Sequence, residues 1–293
     1  MSDSENKDKG KKADNWIFSL ILSFVLSVFL LITSATFIIN GFILSETGVV
    51  GSLSEVDYHI GVYEMIRDSV GDTLLPTQLP QEIIDDAITP EAVYADLNEY
   101  VSYMFANDLA NLNLERDLKV AILNENIDYF LLSSLGLTQA EVGYEVIAEV
   151  VDAIITDYNN FIGSPFLLYI TRIGNLFQSH LRQLVMAGIA GILITSGIIF
   201  LVSRRSKHLI FRYFAFSFGA AALMLMAAPM ALRVWGVHHR LGIELEFIYN
   251  FIVTHIERSI TSFLLASLVF IAFYFIFIFI SAKLQKKMVT SIR

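Results

Sequence analysis

The side chains best suited to chemistry in this chain are histidines with carboxylates close in sequence. His59 follows the first apolar run, and His180 sits just ahead of the second. His238, His239 and His255 lie between the third and fourth runs, near Glu244, Glu246 and Glu257. Neutral imidazoles with a carboxylate bind zinc, and grouped imidazoles sense pH. Their spacing forms no HExxH or comparable motif. The residues alone therefore fit interfacial or core packing better than a metal or catalytic role. The sequence assigns no catalytic, cofactor or metal residue. Whether His59, His180, His238, His239 and His255 gather into a site is left for the structure.

Other chemistries lack their residues. The chain has no cysteine, which removes disulfides, Cys-type zinc sites and thiol nucleophiles. GxxxxGK[ST], GxGxxG and GxSxG are absent, so no phosphate loop or nucleophile elbow is present. The pairs Asp85 with Asp86, Glu115 with Asp117, and Asp152 with Asp157 build no EF-hand loop. Glu141, Glu145, Glu149 and Asp152 have the spacing of one helical stripe, which reads as a solvated face.

The elements that must position the histidines are mostly apolar. Of 293 residues, 55% are hydrophobic and 17% charged, where soluble domains carry about 25% charged residues. The excess falls in four blocks, the pattern of membrane-spanning helices. Residues 1–15 read as an unstructured cytoplasmic tail and 16–44 as transmembrane helix 1. An acidic domain follows over 45–183, then transmembrane helices at 184–202 and 209–232. Residues 233–258 read as a loop or interfacial helix, 259–282 as transmembrane helix 4, and 283–293 as a second cytoplasmic tail. The uncharged run 17–39 exceeds the about 7–15 residues of a signal-peptide core, so it is expected to be an uncleaved anchor. Lys7, Lys9, Lys11 and Lys12, then Arg204, Arg205 and Lys207, then Lys283, Lys286, Lys287 and Arg293 all fall on one side of four spans. By the positive-inside rule that side is cytoplasmic, which places 45–183 and 233–258 outside.

Residues 45–183 hold 22 acidic residues against five basic ones. Their pattern is helical throughout. One helix is expected over 54–70, with Val56, Ile60, Tyr63, Ile66 and Val70 on one face. A short one is expected over 81–88. Thr89, Pro90 and Glu91 open a third, with Val93, Leu97, Tyr100, Val101 and Met104 facing a core. A fourth is expected over 114–132, carrying Leu118, Ile122, Ile127 and the run 130–132. Thr138 and Glu141 form a capping-box pattern before a long helix to about 161, and Ser164 with Pro165 starts one that runs into the second span. The expected fold class is all-α: four transmembrane helices with a helical extracytoplasmic domain inserted between helices 1 and 2.

Residues 17–39, 184–202, 213–232 and 259–282 contain no Asp, Glu, Lys, Arg or His, which argues against ion-coupled transport. Small residues recur at helix-neighbour spacing: Ser19, Ser23 and Ser27; Ala187, Gly191 and Thr195; Ala215 and Gly219. Basic residues sit in short flanks, so nucleic acid is not an expected partner. The expected partners are the lipid bilayer and a membrane or extracytoplasmic protein. The leading reading is a multi-pass cell-membrane protein whose outer helical domain binds a partner or ligand as an accessory or sensor subunit. The alternative is an outer-leaflet enzyme of acyl-transfer type using interfacial histidines.

The layout of basic tail, one span, helical domain and three closing spans resembles a loose group of uncharacterised four-span membrane proteins from Gram-positive bacteria. The segment LPQEIIDDAITPEAVYADLNEYVSYMF, residues 79–105, is similar in style to theirs. The resemblance implies fold and location, not activity. The layout is also similar to the lipoprotein intramolecular transacylase family, which is thought to use outer-face histidines. That resemblance gives the part to His59 or to His238 and His239, although the insert here reads helical throughout.

Overall fold

Repeated Ser and Thr caps and the lack of any alternating strand pattern are met by helices joined by short turns among the described residues. The computed structural model describes residues 2–163, 165–204 and 206–290 and is all-helical, with no strand among the described residues. Four helices are long and apolar enough to cross a membrane, over Trp16–Ile43, His180–Val202, Lys207–His239 and Glu246–Lys287. The chain divides into two compact units. An apolar unit holds Met1–Ile43, Leu176–Leu241 and Ile256–Arg293. A helical unit holds Leu44–Asn175 and Gly242–His255.

In the apolar unit, α1 spans Ser2–Ile38. The tail expected to be unstructured over 1–15 is thus helical from Ser2. Lys, Glu and Asp-bearing turns can extend a helix already nucleated by the apolar run. Ser19, Ser23 and Ser27 are buried. Ser23 Oγ lies 3.0 Å from Ser217 Oγ on α9 (Lys207–Trp235), and Ser217 Oγ lies 2.8 Å from the Ser23 carbonyl. Small side chains let the two backbones approach and then hydrogen-bond across the gap. The later helix α8 (Pro165–Val202) does the same with glycine. A Cβ at Gly191 would lie 2.5 Å from the Phe29 ring, and one at Gly188 would lie 2.1 Å from Thr33 Oγ1. Gly191 and Thr195 face inward as their spacing implies, but Ala187 is exposed. Against α10 (Glu246–Thr290), α9 packs through rings, with Phe218 edge-on to Phe270 at 5.4 Å. The Ser164 cap expected before α8, and Arg205 and Arg293 of the basic flanks, lie outside the described residues.

The helical unit begins with α2 (Glu46–Glu55), whose first turn is capped by Ser45 accepting from the Gly48 N–H at 3.1 Å. Asp57 then takes a left-handed conformation, φ 49°, and α3 runs over Tyr58–Leu74. The single helix expected over 54–70 is therefore two, and its buried face is Tyr58, Val62, Ile66, Val70 and Leu74. The short helix expected over 81–88 is a 3-10 turn over Gln81–Ile84. α4 spans Pro90–Ala106, capped by Thr89, and buries Val93, Leu97, Tyr100, Val101 and Met104. α5 spans Arg116–Phe130 and continues in a π turn over Leu131–Leu135. The Thr138–Glu141 capping box opens only α6 (Gln139–Val142). Gly143, at φ 102°, ends it, so the expected long helix is broken there before α7 (Tyr144–Ile162). That conformation strains any residue with a Cβ.

The region expected as a loop over 233–258 is shorter than anticipated. α9 continues to Trp235, and α10 is one unbroken helix from Glu246. The amphipathic stretch is the start of α10: Phe251 is buried in the core of the helical unit, with Phe247, Ile248 and Ile252 against it.

On α5 the expected Ile127 is buried, but the start of the helix departs from the expected face by one residue. Leu118 is 54% exposed, and Lys119 is 3% exposed instead. The Lys119 ammonium lies 2.8 Å from Asp96 Oδ2 and donates to the Leu114 carbonyl at 2.6 Å. Tyr158 donates its hydroxyl to the same Asp96 oxygen, and its ring lies under the ammonium, 5.1 Å away. Removing one partner of a buried pair strands the other charge. Lys119→Ala is expected to cost about 3–5 kcal/mol, read by denaturant unfolding of the full-length protein in detergent. The apolar replacement Asp96→Leu, Lys119→Met, Tyr158→Phe should cost much less.

Burial, then the hydrogen bond to Asp96 and the charges of Asp96 and Glu115, raise the Tyr158 pKa well above its usual value near 10. The fold keeps the phenol neutral, so this contribution is complete below about pH 10, where the unfolded tyrosine is neutral as well. Above that pH the unfolded state loses its proton first, and stability falls as pH rises. Tyr158→Phe is expected to flatten that alkaline loss, seen by comparing unfolding midpoints at about pH 8 and about pH 11.

Candidate functional site

The end of α9 delivers two histidines side by side. Gly236, at φ 59°, closes the helix with its N–H on the Leu232 carbonyl at 3.0 Å. A 3-10 turn over Val237–His239 follows, with the His239 N–H on the Gly236 carbonyl at 3.1 Å. Only a left-handed residue permits this reversal, which suits glycine. The His238 and His239 rings end 4.0 Å apart, centre to centre, at 42°.

Glu257 on α10 completes the group. Its Oε1 lies 3.4 Å from His239 Nε2 and 3.7 Å from His238 Nε2. His238 is buried, whereas the His239 and Glu257 side chains are about half exposed. The three donor atoms all fall within 4.8 Å of one another. They open on a cavity of about 270 Å3 that Arg233, Ile260 and Thr261 also line. Arg233 comes from the last turn of α9, and Ile260 and Thr261 come from the turn of α10 after Glu257. The Thr261 hydroxyl donates to the Glu257 carbonyl at 2.8 Å, which ties it to its own helix. His238 Nδ1 is buried with no hydrogen-bond partner among the described residues.

The other histidines named from the sequence go elsewhere. His59 packs edge-on against Tyr94 at 5.1 Å in the helical unit. His255 Nδ1 lies 2.9 Å from Ser52 Oγ, and its ring stacks on Phe251 at 5.7 Å. His180 is exposed on α8. Glu244 and Glu246 are exposed and outside the His238 group. The expected acidic stripe of Glu141, Glu145, Glu149 and Asp152 is solvent-exposed, and Asp152 pairs with Arg116 at 2.6 Å. Sequence reasoning did not single out Arg233 or Thr261. The available signal for them was helical spacing, four residues beyond Glu257 in the case of Thr261.

No protein-family description, curated protein or solved structure matches this chain. Its function must therefore be argued from its own residues.

The His255 contact has a structural consequence. Ser52 is fully buried, and its hydroxyl serves both His255 and the Gly48 carbonyl, 3.0 Å away. Ser52→Ala is expected to destabilise the helical unit by about 1 kcal/mol, read as a lower thermal midpoint. Rescue by Ser52→Thr would show that the hydroxyl, not the volume, matters.

Proposed function

We propose that this is a multi-pass membrane protein of accessory or sensor type, with both termini cytoplasmic and the helical unit outside, where it receives a protein partner. The membrane part rests on four helices of sufficient length and apolarity and on basic residues confined to their flanks. The partner part rests on one observation. Tyr129, Leu132, Leu135, Tyr144 and Val146, all within one short stretch of chain around the α5–α7 connection, are each more than half exposed. Monomeric soluble surfaces rarely leave such apolar groups together unless something covers them. Exposed Asp128, Glu141 and Glu145 flank the stretch, so the complementary surface is apolar with a basic rim.

The acyl-transfer reading draws on the His238, His239 and Glu257 cavity. It needs a nucleophile or an acyl-accepting group beside an imidazole. Thr261 is the hydroxyl lining that cavity, and it is committed to the Glu257 carbonyl. The exposed apolar stretch therefore supports the accessory reading more strongly.

A chain without cysteine allows a clean test. In intact cells, Ser133→Cys is expected to react with a membrane-impermeant maleimide and Lys283→Cys is not. A photo-reactive residue at position 135 should cross-link one discrete partner, and adding Leu132→Asp should abolish that cross-link. Reversed labelling would overturn the orientation. A cross-link indifferent to Leu132→Asp would overturn the partner surface.

A further inference from the structure

We propose that His238, His239 and Glu257 bind one divalent transition-metal ion of the zinc class, with a fourth coordination position open to the cavity that Arg233 lines. The inference concerns the apolar unit alone and does not depend on what the helical unit binds.

The distances carry the argument. Glu257 Oε1 is 3.4 Å from His239 Nε2 and 3.7 Å from His238 Nε2. Direct N–H···O bonds are about 2.7–3.2 Å, so these atoms face one another from beyond hydrogen-bond reach. Two donors on one tetrahedral zinc, at bonds of about 2.0–2.2 Å, stand about 3.3–3.5 Å apart. The His239 distance is that of ligands sharing an ion, and the His238 distance exceeds it by about 0.2 Å.

His238 supplies a second, independent observation. It is 6% exposed. Its Nε2 faces the Glu257 carboxylate at 3.7 Å, and its Nδ1 has no hydrogen-bond partner among the described residues. A buried polar group left in that state is destabilising. A divalent ion held by Nε2 of both rings and by Glu257 Oε1 gives these three facing atoms a common partner, with the His238 ring proton then on Nδ1.

The donor set selects the ion. Calcium and magnesium prefer shells of oxygen ligands, and this group offers one carboxylate. Two imidazoles and a carboxylate suit zinc and its neighbours. Octahedral ions with similar bonds would draw the donors to about 3.0 Å, closer than either distance observed. Three protein ligands leave a tetrahedral ion one vacant position, as in catalytic rather than structural zinc sites. Arg233 on the cavity wall favours water, hydroxide or an anionic oxygen there.

The full-length protein, purified in detergent and stripped with a chelator, would be titrated at about pH 7.5, where free imidazole is neutral. Co2+ is expected to bind one ion per chain with the intense visible bands of four-coordinate cobalt, and Zn2+ to displace it. His239→Ala and Glu257→Gln alter half-exposed side chains, so they test the site even if His238→Ala fails to fold. Each should weaken Zn2+ binding, measured against a chromogenic chelator, by about ten-fold or more. His180→Ala and His59→Ala should leave it unchanged. Absence of stoichiometric binding in the wild type would overturn the proposal. So would equal affinity in His239→Ala and Glu257→Gln, or octahedral cobalt spectra.

Discussion

The Asp96 carboxylate accepts from both the Lys119 ammonium and the Tyr158 hydroxyl, and all three side chains are buried. They come from α4, α5 and α7, so one oxygen joins three helices. The location is costly: a buried ion pair loses hydration that its Coulomb attraction only partly offsets. It is tolerated here because every group finds a partner. Lys119 also holds the Leu114 carbonyl, which pins the chain just before Glu115 takes its left-handed conformation at φ 48°. With no disulfide to constrain it, the helical unit is held by its apolar core and by this cluster. The rest of the unit is acidic, so the few cations matter disproportionately. Arg67 pairs with Asp85 and Arg116 with Asp152, but both pairs are largely exposed, where such contacts contribute little.

The apolar unit solves a different problem. Burying hydrocarbon cannot drive its helices together if hydrocarbon also surrounds them, so shape and hydrogen bonding must do so. Serines on α1 and α9 meet at Ser23 and Ser217, glycines on α8 accept Phe29 and Thr33, and α9 meets α10 through aromatic rings. The consequence for substitution is asymmetric. At Gly188 the first atom of any side chain would occupy the position of Thr33 Oγ1, while the outward Leu193 and Phe279 are mostly exposed and touch little of the protein.

Much of this was legible in the sequence because the relevant signals are local. Apolar runs gave the four long helices, and Thr89 caps α4 as its position before Pro90 implied. The α4 core was legible because its apolar residues sit at helical spacing with no competing face. At the start of α5 two phases compete, and the sequence favours apolar Leu118 over Lys119. Burial instead follows Lys119, because the deciding partners Asp96 and Tyr158 lie on other helices. A side chain that is buried only because it is paired carries no sign of burial in its own segment. The break at Gly143 was missed for the opposite reason. Its glycine was visible, but a single glycine inside a helical pattern does not specify a break.

The histidine group was half legible, and α10 explains why. This helix places Phe247, Phe251 and His255 four residues apart on one face, toward the core of the helical unit. Glu257 follows His255 by two residues, about 200° around the helix, and shares its face with Ile260 and Thr261. Two apolar patterns of different phase therefore meet inside one helix, and read as a sequence they look like a loop between two elements. Their joining matters for the site. A carboxylate on a loop would sample many distances to His238 and His239. On an unbroken helix it is held opposite the turn that ends α9, and a three-donor site needs that fixed geometry while a solvated acidic residue does not.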